Sequence, residues 1–415
     1  MTSQKTDLPH TTDRLATDPD KAPAEPELDV VVVGGSQAGL AMAWHLAQRG
    51  LRFVVLEAGP EVGHTWRSRW DSLKLFTPAQ YDALPGMPFP APADTYPTKD
   101  QVAGYLQAYA ATFDLPVRLN ARVTGLSHSG EGFEVRTADE SFRTDQVVVA
   151  TGPFQIPFVP PAARGLDGSV PQLHSSTYRN PQALPEGSVL VVGGANSGLQ
   201  IAQELSTTRK VDLSVGTKLP MVPQRMLSKD LFWWLTKLGL LAKTADSRIG
   251  RRAKARDLVI GTNRRKLRHA GVRFRPRLAR ADGRTVRFAD GSTLDVDVVI
   301  WATGFRSDYS WIQLPDVVND GHVAHRRGVA NVGGLYFLGL SWQHTRGSAL
   351  LGFVDDDAAF IADHVAAYQR ASSPSDAATA KMVRWSTQAG AHTSARGCCS
   401  PTDRQGCVVR SSSAS

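Results

Sequence analysis

Short apolar runs alternate with amphipathic stretches along the first half of the chain. Positions 28–33 read Leu-Asp-Val-Val-Val-Val, and a second run, Phe53–Leu56, follows residues 36–48, whose apolar positions recur at helical spacing. Short runs that are apolar throughout are typical of parallel strands buried on both faces. The pattern therefore predicts a βαβ unit and an α/β fold.

The same order of elements occurs a second time. Residues 188–192, 193–206 and 211–215 repeat the succession of strand, turn with helix, and strand. Two further apolar runs, 147–152 and 298–304, both end in Ala-Thr-Gly, and each follows a glycine-rich turn by about 110 residues. We therefore predict two Rossmann-like units, with one inserted into the other.

The first glycine-rich turn has the features of a dinucleotide site. Such a turn needs a glycine for the tight bend, a small residue near the pyrophosphate and a glycine for helix packing; Ser36 replaces the central glycine here. Glu57 ends the next strand, 18 residues beyond Gly39, where a carboxylate accepts hydrogen bonds from ribose hydroxyls. We favour dinucleotide binding over a structural turn, and the candidate residues are Gly34, Gly35, Ser36, Gln37, Ala38, Gly39, Glu57, Ala58, Ala150, Thr151 and Gly152.

The second turn has a different chemical ending. Its second strand runs into Val215, Gly216, Thr217 and Lys218, with no carboxylate. Thr217, Lys218 and Arg225 suit a 2′-phosphate, which favours NADPH over NADH; the alternative is that Lys218 only faces water. The candidate residues are Gly193, Gly194, Ala195, Asn196, Ser197, Gly198, Thr217, Lys218, Arg225, Ala302, Thr303 and Gly304.

Together, the two turns predict one resident nucleotide, FAD, which stores electrons, and one visiting nucleotide, NADPH, which delivers hydride. We predict an α/β protein in which an NADPH-binding domain is inserted into an FAD-binding domain. The predicted segments are a disordered arm over 1–26, the FAD domain over 27–160, a linker over 161–186, the NADPH domain over 187–297 with a helical insert over 226–270, the FAD return over 298–370 and a disordered tail over 371–415.

With these motifs, the sequence resembles class B flavin-dependent monooxygenases from about residue 28 to 367. These include flavin-containing, YUCCA-like and Baeyer–Villiger enzymes, and the chain is most similar to bacterial K⁺-transport-associated flavoprotein monooxygenases. Residues 63–67, 71–75 and 96–100 carry the resemblance, as does the His-x-x-x-Tyr half of the family fingerprint, His174 to Tyr178.

The resemblance implies a reaction. NADPH reduces FAD, O₂ forms a C4a-(hydro)peroxyflavin, and oxygen passes to a small organic substrate, with N- or S-hydroxylation or oxidative decarboxylation favoured over Baeyer–Villiger chemistry. It also implies helpers near the flavin: Trp66, which also binds the cofactor, Arg67, Phe76 and Thr77, with Asn196 between the two nucleotides. Phe76 occupies the position of an oxygen-activating Asn in flavin-containing monooxygenases.

Other classes of function are weighed by charge and cysteine content. The net charge of +8 and a basic run over 248–268 are interpreted as a solvated helical face, not a nucleic-acid site. Cys398, Cys399 and Cys407 lie in the tail, so the redox cysteine pair of a disulfide reductase is missing and no metal site is predicted. A flavin reductase or oxidase that passes electrons to a quinone, a protein or O₂, and a non-enzymatic flavin-binding regulator, remain alternatives.

Location and partners follow from the apolar segments. With no secretory signal and no run of 18 apolar residues, we expect a cytoplasmic protein without an integral membrane segment. The apolar stretch 226–241 predicts a helix whose role stays open. Burial against the NADPH domain, a homodimer contact, a substrate lid and a membrane-surface element are the alternatives.

Overall fold

The structure, a computed structural model, describes residues 28–130, 132–217, 219–255 and 258–372. Lys218, the three cysteines and the predicted N-terminal arm lie outside the described residues, as do residues 373–415 of the predicted tail. One compact unit extends to Val365. A second begins at Ala366, and the structure describes only its first residues, which are the end of a helix through Ser372.

The described residues form α-helices, strands and short 3₁₀ turns. The α-helices are α1 (Gln37–Gln48), α2 (His64–Arg67), α3 (Lys99–Thr112), α4 (Asn196–Leu205), α5 (Leu231–Lys237), α6 (Arg248–Ala255), α7 (Arg264–His269) and α8 (Asp355–Ser372). The 3₁₀ turns are Ala79–Tyr81, Pro161–Gly165, Pro181–Ala183, Arg346–Ala349 and Leu351–Phe353.

The strands, in chain order, are β1 (Leu28–Val33), β2 (Phe53–Leu56), β3 (Val117–Arg118), β4 (Gly125–Ser129), β5 (Gly132–Arg136), β6 (Ser141–Val149), β7 (Ile156–Pro157), β8 (Gln172–His174), β9 (Val189–Val192), β10 (Val211–Ser214), β11 (Met221–Val222), β12 (Arg225–Met226), β13 (Lys229–Asp230), β14 (Val259–Ile260), β15 (Arg273–Arg275), β16 (Leu278–Asp282), β17 (Thr285–Phe288), β18 (Thr293–Asp295), β19 (Val298–Trp301), β20 (Phe305–Arg306), β21 (Val318–Asn319), β22 (His322–Val323), β23 (His325–Arg326), β24 (Val329–Ala330) and β25 (Leu335–Phe337).

The larger sheet is built around β1. Its main path is β23-β24-β25-β6-β1-β2-β3, and the strands from β25 to β3 are parallel. Strand β6 shows why the sheet is mixed. Residues 141–145 alternate between exposed and buried, and residues 141–144 pair antiparallel with β5. Residues 146–149 are all buried, and residues 147–149 lie between β1 and β25. Helices α1, α3 and the described part of α8 up to Val365 cover one face.

The smaller sheet is parallel throughout, in the order β15-β10-β9-β19-β8. It corrects the predicted boundary at 298, because Val298–Trp301 pairs with Val189–Val192 and with Gln172–His174, not with the larger sheet. The chain leaves the larger sheet through β7 and returns through β20, and these two strands pair antiparallel. The prediction of one Rossmann-like unit inserted into another is confirmed; the remaining domain limits stay predictions.

The insert after β10 is less helical than predicted. A hairpin, β12–β13, precedes α5, so the helix predicted from Met226 begins only at Leu231. Asp230 starts it, because its carboxylate accepts a hydrogen bond from the Phe232 amide at 2.7 Å. Leu231 and Phe232 are buried and pack with Phe76. None of the described helices combines the length and apolarity that crossing a membrane requires.

Candidate functional site

The first glycine-rich turn is closed by backbone contacts that leave no room for side chains. Gly34 has φ 109°, in the left-handed region that glycine adopts most readily. A Cβ on Gly34 would lie 2.6 Å from the Ala150 carbonyl oxygen, and one on Gly39 would lie 1.8 Å from the Gly34 carbonyl oxygen. The two glycines therefore bring the end of β1, the start of α1 and the Ala-Thr-Gly segment together.

Glu57 is held at this turn by two backbone amides. Its carboxylate accepts hydrogen bonds from the amide nitrogens of Gly35 and Gly59, each at 2.7 Å. A Cβ on Gly35 would lie 2.9 Å from the Cβ of Glu57, so only a glycine at position 35 leaves room for the Glu57 side chain. The carboxylate thus has a fixed position at the end of β2, beside the turn, while Ala58 next to it is exposed.

The helices that follow the two turns begin without side-chain caps. Ser36 precedes α1 and Ala195 precedes α4, and in neither helix does the side chain at this position accept an amide hydrogen bond. Neither first turn carries an acidic residue. Amides left open at a helix N-terminus bind phosphate, and the helix dipole favours its negative charge. The residues present therefore fit the pyrophosphate of a dinucleotide at both turns.

The second turn repeats the geometry of the first. Gly193 has φ 129°, and a Cβ there would lie 2.0 Å from the Ala302 carbonyl oxygen. A Cβ on Gly198 would lie 2.0 Å from the Gly193 carbonyl oxygen. The second Ala-Thr-Gly segment therefore closes the second turn as the first segment closes the first.

The two turns differ at the position of the acid. Gly34 donates to Leu56 and Gly193 donates to Ser214, so Val215 is the counterpart of Glu57. A Cβ on Gly194 would lie 2.7 Å from the Val215 side chain, and a Cβ on Gly35 would lie similarly close to the Glu57 side chain. An apolar residue thus stands where the first site has a carboxylate.

Arg277 lies beside this position and was missed by the sequence analysis. A Cβ on Gly216 would lie 3.1 Å from the Cζ atom of Arg277. The two arginines that precede Arg277 are already paired. Arg273 and Arg275 donate hydrogen bonds to the buried Asp212 at 2.5 and 2.7 Å. Within the described residues the Arg277 guanidinium makes no hydrogen bond or ion pair, so it is available to an anion. The signal was the basic run 273–277, whose first three residues form β15 beside β10.

The predicted phosphate ligands are distributed differently. Thr217 is exposed near Gly216, and Lys218 lies outside the described residues. Arg225 is on the β12–β13 hairpin, where its guanidinium lies 3.9 Å from the Asp94 carboxylate. Arg225 thus already has an acidic neighbour, whereas Arg277 adjoins the turn.

Two of the predicted catalytic residues are fixed near the first turn. Trp66 donates from Nε1 to the Gln37 side-chain oxygen at 3.2 Å, which connects α2 to the first residue of α1. Arg67 donates to Glu61 at 2.9 Å and to Gln107 at 3.0 Å. Trp66 is therefore brought to the turn, while the charge of Arg67 is already paired.

Thr77 is hydrogen-bonded to a buried acid, Asp82, which the sequence did not reveal. The Thr77 hydroxyl donates to Oδ1 of Asp82 at 2.5 Å. Asp82 is fully buried, and its Oδ2 has no hydrogen-bond partner among the described residues. Burial raises the pKa of Asp82 to about 7, against a smaller opposite effect of the Thr77 hydrogen bond. The carboxyl group is therefore partly protonated at neutral pH.

Asn196 and the fingerprint residues make structural contacts. The Asn196 side-chain oxygen accepts a hydrogen bond from the Ile260 amide at 3.0 Å. His174 lies 3.0 Å from the Gly304 carbonyl oxygen through Nε2, and burial lowers its pKa. Tyr178 is fully buried and donates to Glu204 at 2.9 Å. These contacts tie the linker and the insert to the smaller sheet.

Known proteins share this arrangement. The sequence matches the family described as pyridine nucleotide-disulphide oxidoreductase over residues 31–224. It is 47% identical to a CzcO-like oxidoreductase of Geobacillus kaustophilus, itself uncharacterized, over 81% of this chain and 98% of the relative. A solved flavin-containing monooxygenase from Stenotrophomonas maltophilia is 30% identical, with a TM-score of 0.70 over 82% of this chain and 99% of that one. The chain belongs to the class B flavin monooxygenase superfamily.

Membership in this superfamily makes the protein an oxidoreductase of the flavin monooxygenase type. An indole-3-pyruvate monooxygenase of rice, YUCCA4, is 29% identical over 75% of this chain and 82% of the relative. The segment that matches the disulphide oxidoreductase family, residues 31–224, contains no cysteine.

Proposed function

We propose that this superfamily member is an FAD-dependent, NADPH-using monooxygenase that acts on a small organic substrate. Its overall reaction consumes substrate, O₂, NADPH and a proton, and it yields oxygenated substrate, water and NADP⁺. The observation that carries the proposal is the pair of matching turns with unlike ends, Glu57 at one and Val215 with Arg277 at the other.

The first turn suits the resident FAD. Its open α1 amides receive the pyrophosphate, and Glu57, already fixed by Gly35 and Gly59, accepts hydrogen bonds from ribose hydroxyls. When bound, FAD supplies the redox chemistry, namely hydride acceptance and reaction with O₂. Trp66 orients the start of α1 through Gln37.

The second turn suits the visiting NADPH. A carboxylate at Val215 would repel a 2′-phosphate, and the apolar side chain there does not. The Arg277 guanidinium lies beside Gly216, and the exposed Thr217 follows Gly216 in the chain, so a guanidinium and a hydroxyl are both offered to the phosphate. The relatives support this use of the sites, since the superfamily includes flavin-containing and indole-3-pyruvate monooxygenases. Oxygenation of N or S, or oxidative decarboxylation, is accordingly the proposed reaction class.

One observation favours a second candidate, an NADPH oxidase or electron-transferring reductase. Phe76 carries no hydrogen-bonding side chain and packs into the apolar cluster of the insert. Oxygen activation would then lack the amide that flavin-containing monooxygenases place at this position. An oxidase would release H₂O₂ in place of an oxygenated product.

Rapid-mixing spectroscopy distinguishes these functions. The yellow protein is reduced anaerobically with NADPH and mixed with oxygenated buffer while its absorbance is followed. The monooxygenase predicts a transient absorbing between the reduced and oxidised flavin bands, and NADP⁺ prolongs it. Direct reoxidation with one H₂O₂ per NADPH would instead establish the oxidase.

The choice of nucleotide is tested at Arg277. Arg277→Gln is expected to raise the KM for NADPH about tenfold or more and to leave the KM for NADH unchanged, since NADH has no 2′-phosphate. Arg280→Gln, at an exposed position of strand β16, is the matched control and keeps the wild-type KM. Equal effects of Arg277→Gln on both nucleotides would refute this role.

A further inference from the structure

The insert carries an outward-facing surface that no part of the proposed reaction uses. We define this insert surface as Met226, Leu227, Lys229, Trp233, Trp234, Lys237, Leu238 and Leu240. Leu227 is 85% exposed and Leu238 is 60% exposed, and both are among the most exposed large apolar residues that the structure describes. A large apolar side chain in water usually marks an interaction site when several lie together.

The tip of the β12–β13 hairpin presents Leu227 at a cost in backbone energy. Leu227 and Ser228 have φ 49° and 64°, so both central residues of the turn are left-handed. Hairpin turns of this kind strongly prefer Asn-Gly or Gly-Gly, because a Cβ is unfavourable there. A leucine that neither suits the turn nor packs inside is explained by something outside the chain.

The hairpin and α5 form one continuous surface. Trp234 donates from Nε1 to the Met226 carbonyl oxygen at 3.1 Å, and its ring meets Trp233 edge-on at 4.7 Å. The Lys229 ammonium lies 5.7 Å from the Trp233 ring centre. The opposite side of α5, with Leu231 and Phe232, is buried against the rest of the protein. The helix is thus anchored through Leu231 and Phe232, while Lys237 and, just beyond the helix, Leu238 are exposed.

The charge of this region is strongly positive. Residues 225–255 contain eight Lys or Arg residues and two Asp residues. One of the acids, Asp230, is buried and accepts hydrogen bonds from Tyr96, Gln224 and the Phe232 amide, so it does not face outward. Two copies of this surface would repel each other, which disfavours a homodimer through it. The partner that complements it is anionic and takes up apolar side chains.

We propose that the insert surface docks on an anionic lipid bilayer. Tryptophan rings settle at the level of lipid headgroups, lysines are attracted to anionic lipids, and an exposed leucine enters the acyl boundary. The hairpin and α5 together supply all three kinds of side chain: the tryptophans are Trp233 and Trp234, the lysines are Lys229 and Lys237, and the leucine is Leu227. An acidic protein would also meet the charge, but it would need an apolar groove that receives the projecting Leu227.

Vesicle co-sedimentation tests the docking on the full-length flavoprotein. Vesicles of equal parts phosphatidylglycerol and phosphatidylcholine are expected to pellet the chain, whereas phosphatidylcholine alone does not. Lys229→Gln and Lys237→Gln should each lower the partition coefficient about fivefold. Leu227→Gly should lower it about tenfold, and glycine suits the left-handed turn, so the fold is kept.

Matched substitutions elsewhere separate the surface from general charge and apolarity. Leu119→Ala and Lys210→Gln alter exposed residues outside the insert and should bind vesicles like the wild type. Quenching of tryptophan fluorescence by brominated lipid should accompany binding and weaken in Trp233→Leu. Three outcomes would overturn the proposal: no binding to the anionic vesicles, unchanged binding of the Leu227 and lysine variants, or a dimer in light scattering that Leu227→Gly dissociates.

Discussion

Phe76 stacks on Phe232, with ring centroids 5.9 Å apart and ring planes 15° from parallel. Phe76 belongs to the loop that leads to Thr77, and Phe232 belongs to α5 of the insert. The Phe76 carbonyl oxygen also accepts a hydrogen bond from Gln224 at 2.8 Å. Phe76 therefore holds the insert to the loop that leads to Thr77.

Phe76→Ala is expected to lower the free energy of unfolding by about 2 kcal/mol, less than the roughly 3–5 kcal/mol of a fully buried phenylalanine, because the side chain is only partly buried. Phe76→Leu keeps most of the apolar contact and should cost less than about 1.5 kcal/mol. Urea unfolding measures both, and limited proteolysis should cut the insert faster in Phe76→Ala. A Phe76→Ala variant as stable as the wild type would show that the stack contributes nothing.

The buried Asp82 makes a prediction about pH. Its pKa is about 7 in the folded protein against an ordinary value of 3.8, so the folded state binds a proton that the unfolded chain has lost. The contribution of Asp82 to the free energy of unfolding is therefore highest below about pH 4 and falls as the pH rises towards 7. Above pH 7 it stays at its lowest value. Asp82→Asn keeps an oxygen for Thr77 and removes the charge.

The stability of Asp82→Asn relative to the wild type should accordingly be about 4 kcal/mol greater at pH 8 than at pH 4. Thermal or urea unfolding of both proteins across this range gives the difference. Asp139→Asn, at an exposed turn, should show no such slope. A difference between Asp82→Asn and the wild type that does not change with pH would mean that folding does not raise the pKa of Asp82.

Glu57 makes a prediction about flavin retention. Its two oxygens accept hydrogen bonds from Gly35 and Gly59, but the amide group of a glutamine would direct its NH₂ at one of these donors. Glu57→Gln should therefore weaken FAD binding about tenfold or more, measured as flavin content after gel filtration and as the Kd for added FAD. Glu140→Gln, which alters an exposed surface pair with Arg118, should retain full flavin.

The glycine-rich turns and the central strands were predictable because each is a contiguous pattern. Which sheet contains Val298–Trp301 was not, because a run buried on both faces fits the middle of either sheet. Arg277 reaches the second turn only through the pairing of β15 with β10, over 60 residues of chain. Asp82 is a single acid in a proline-rich loop, and no periodicity marks it as buried. Local chemistry was thus visible in the sequence, whereas long-range placement was not.

The two turns can be disabled separately, which makes the last prediction. Gly198→Ala places a methyl group 2.0 Å from the Gly193 carbonyl oxygen, so the second turn must open. We expect it to raise the KM for NADPH about tenfold or more while FAD content stays normal. Gly104→Ala is the matched control, since a methyl group there meets nothing within 4 Å in α3, and it should stabilise the protein by about 0.5–1 kcal/mol.

Gly39→Ala is the mirror of this experiment, because its methyl group would lie 1.8 Å from the Gly34 carbonyl oxygen. It should release FAD, and with FAD the whole activity. The pair therefore assigns each nucleotide to a turn: a colourless Gly39→Ala protein beside a yellow Gly198→Ala protein that NADPH reduces poorly. If Gly198→Ala lost its flavin and Gly39→Ala kept it, the assignment of the two turns would be reversed.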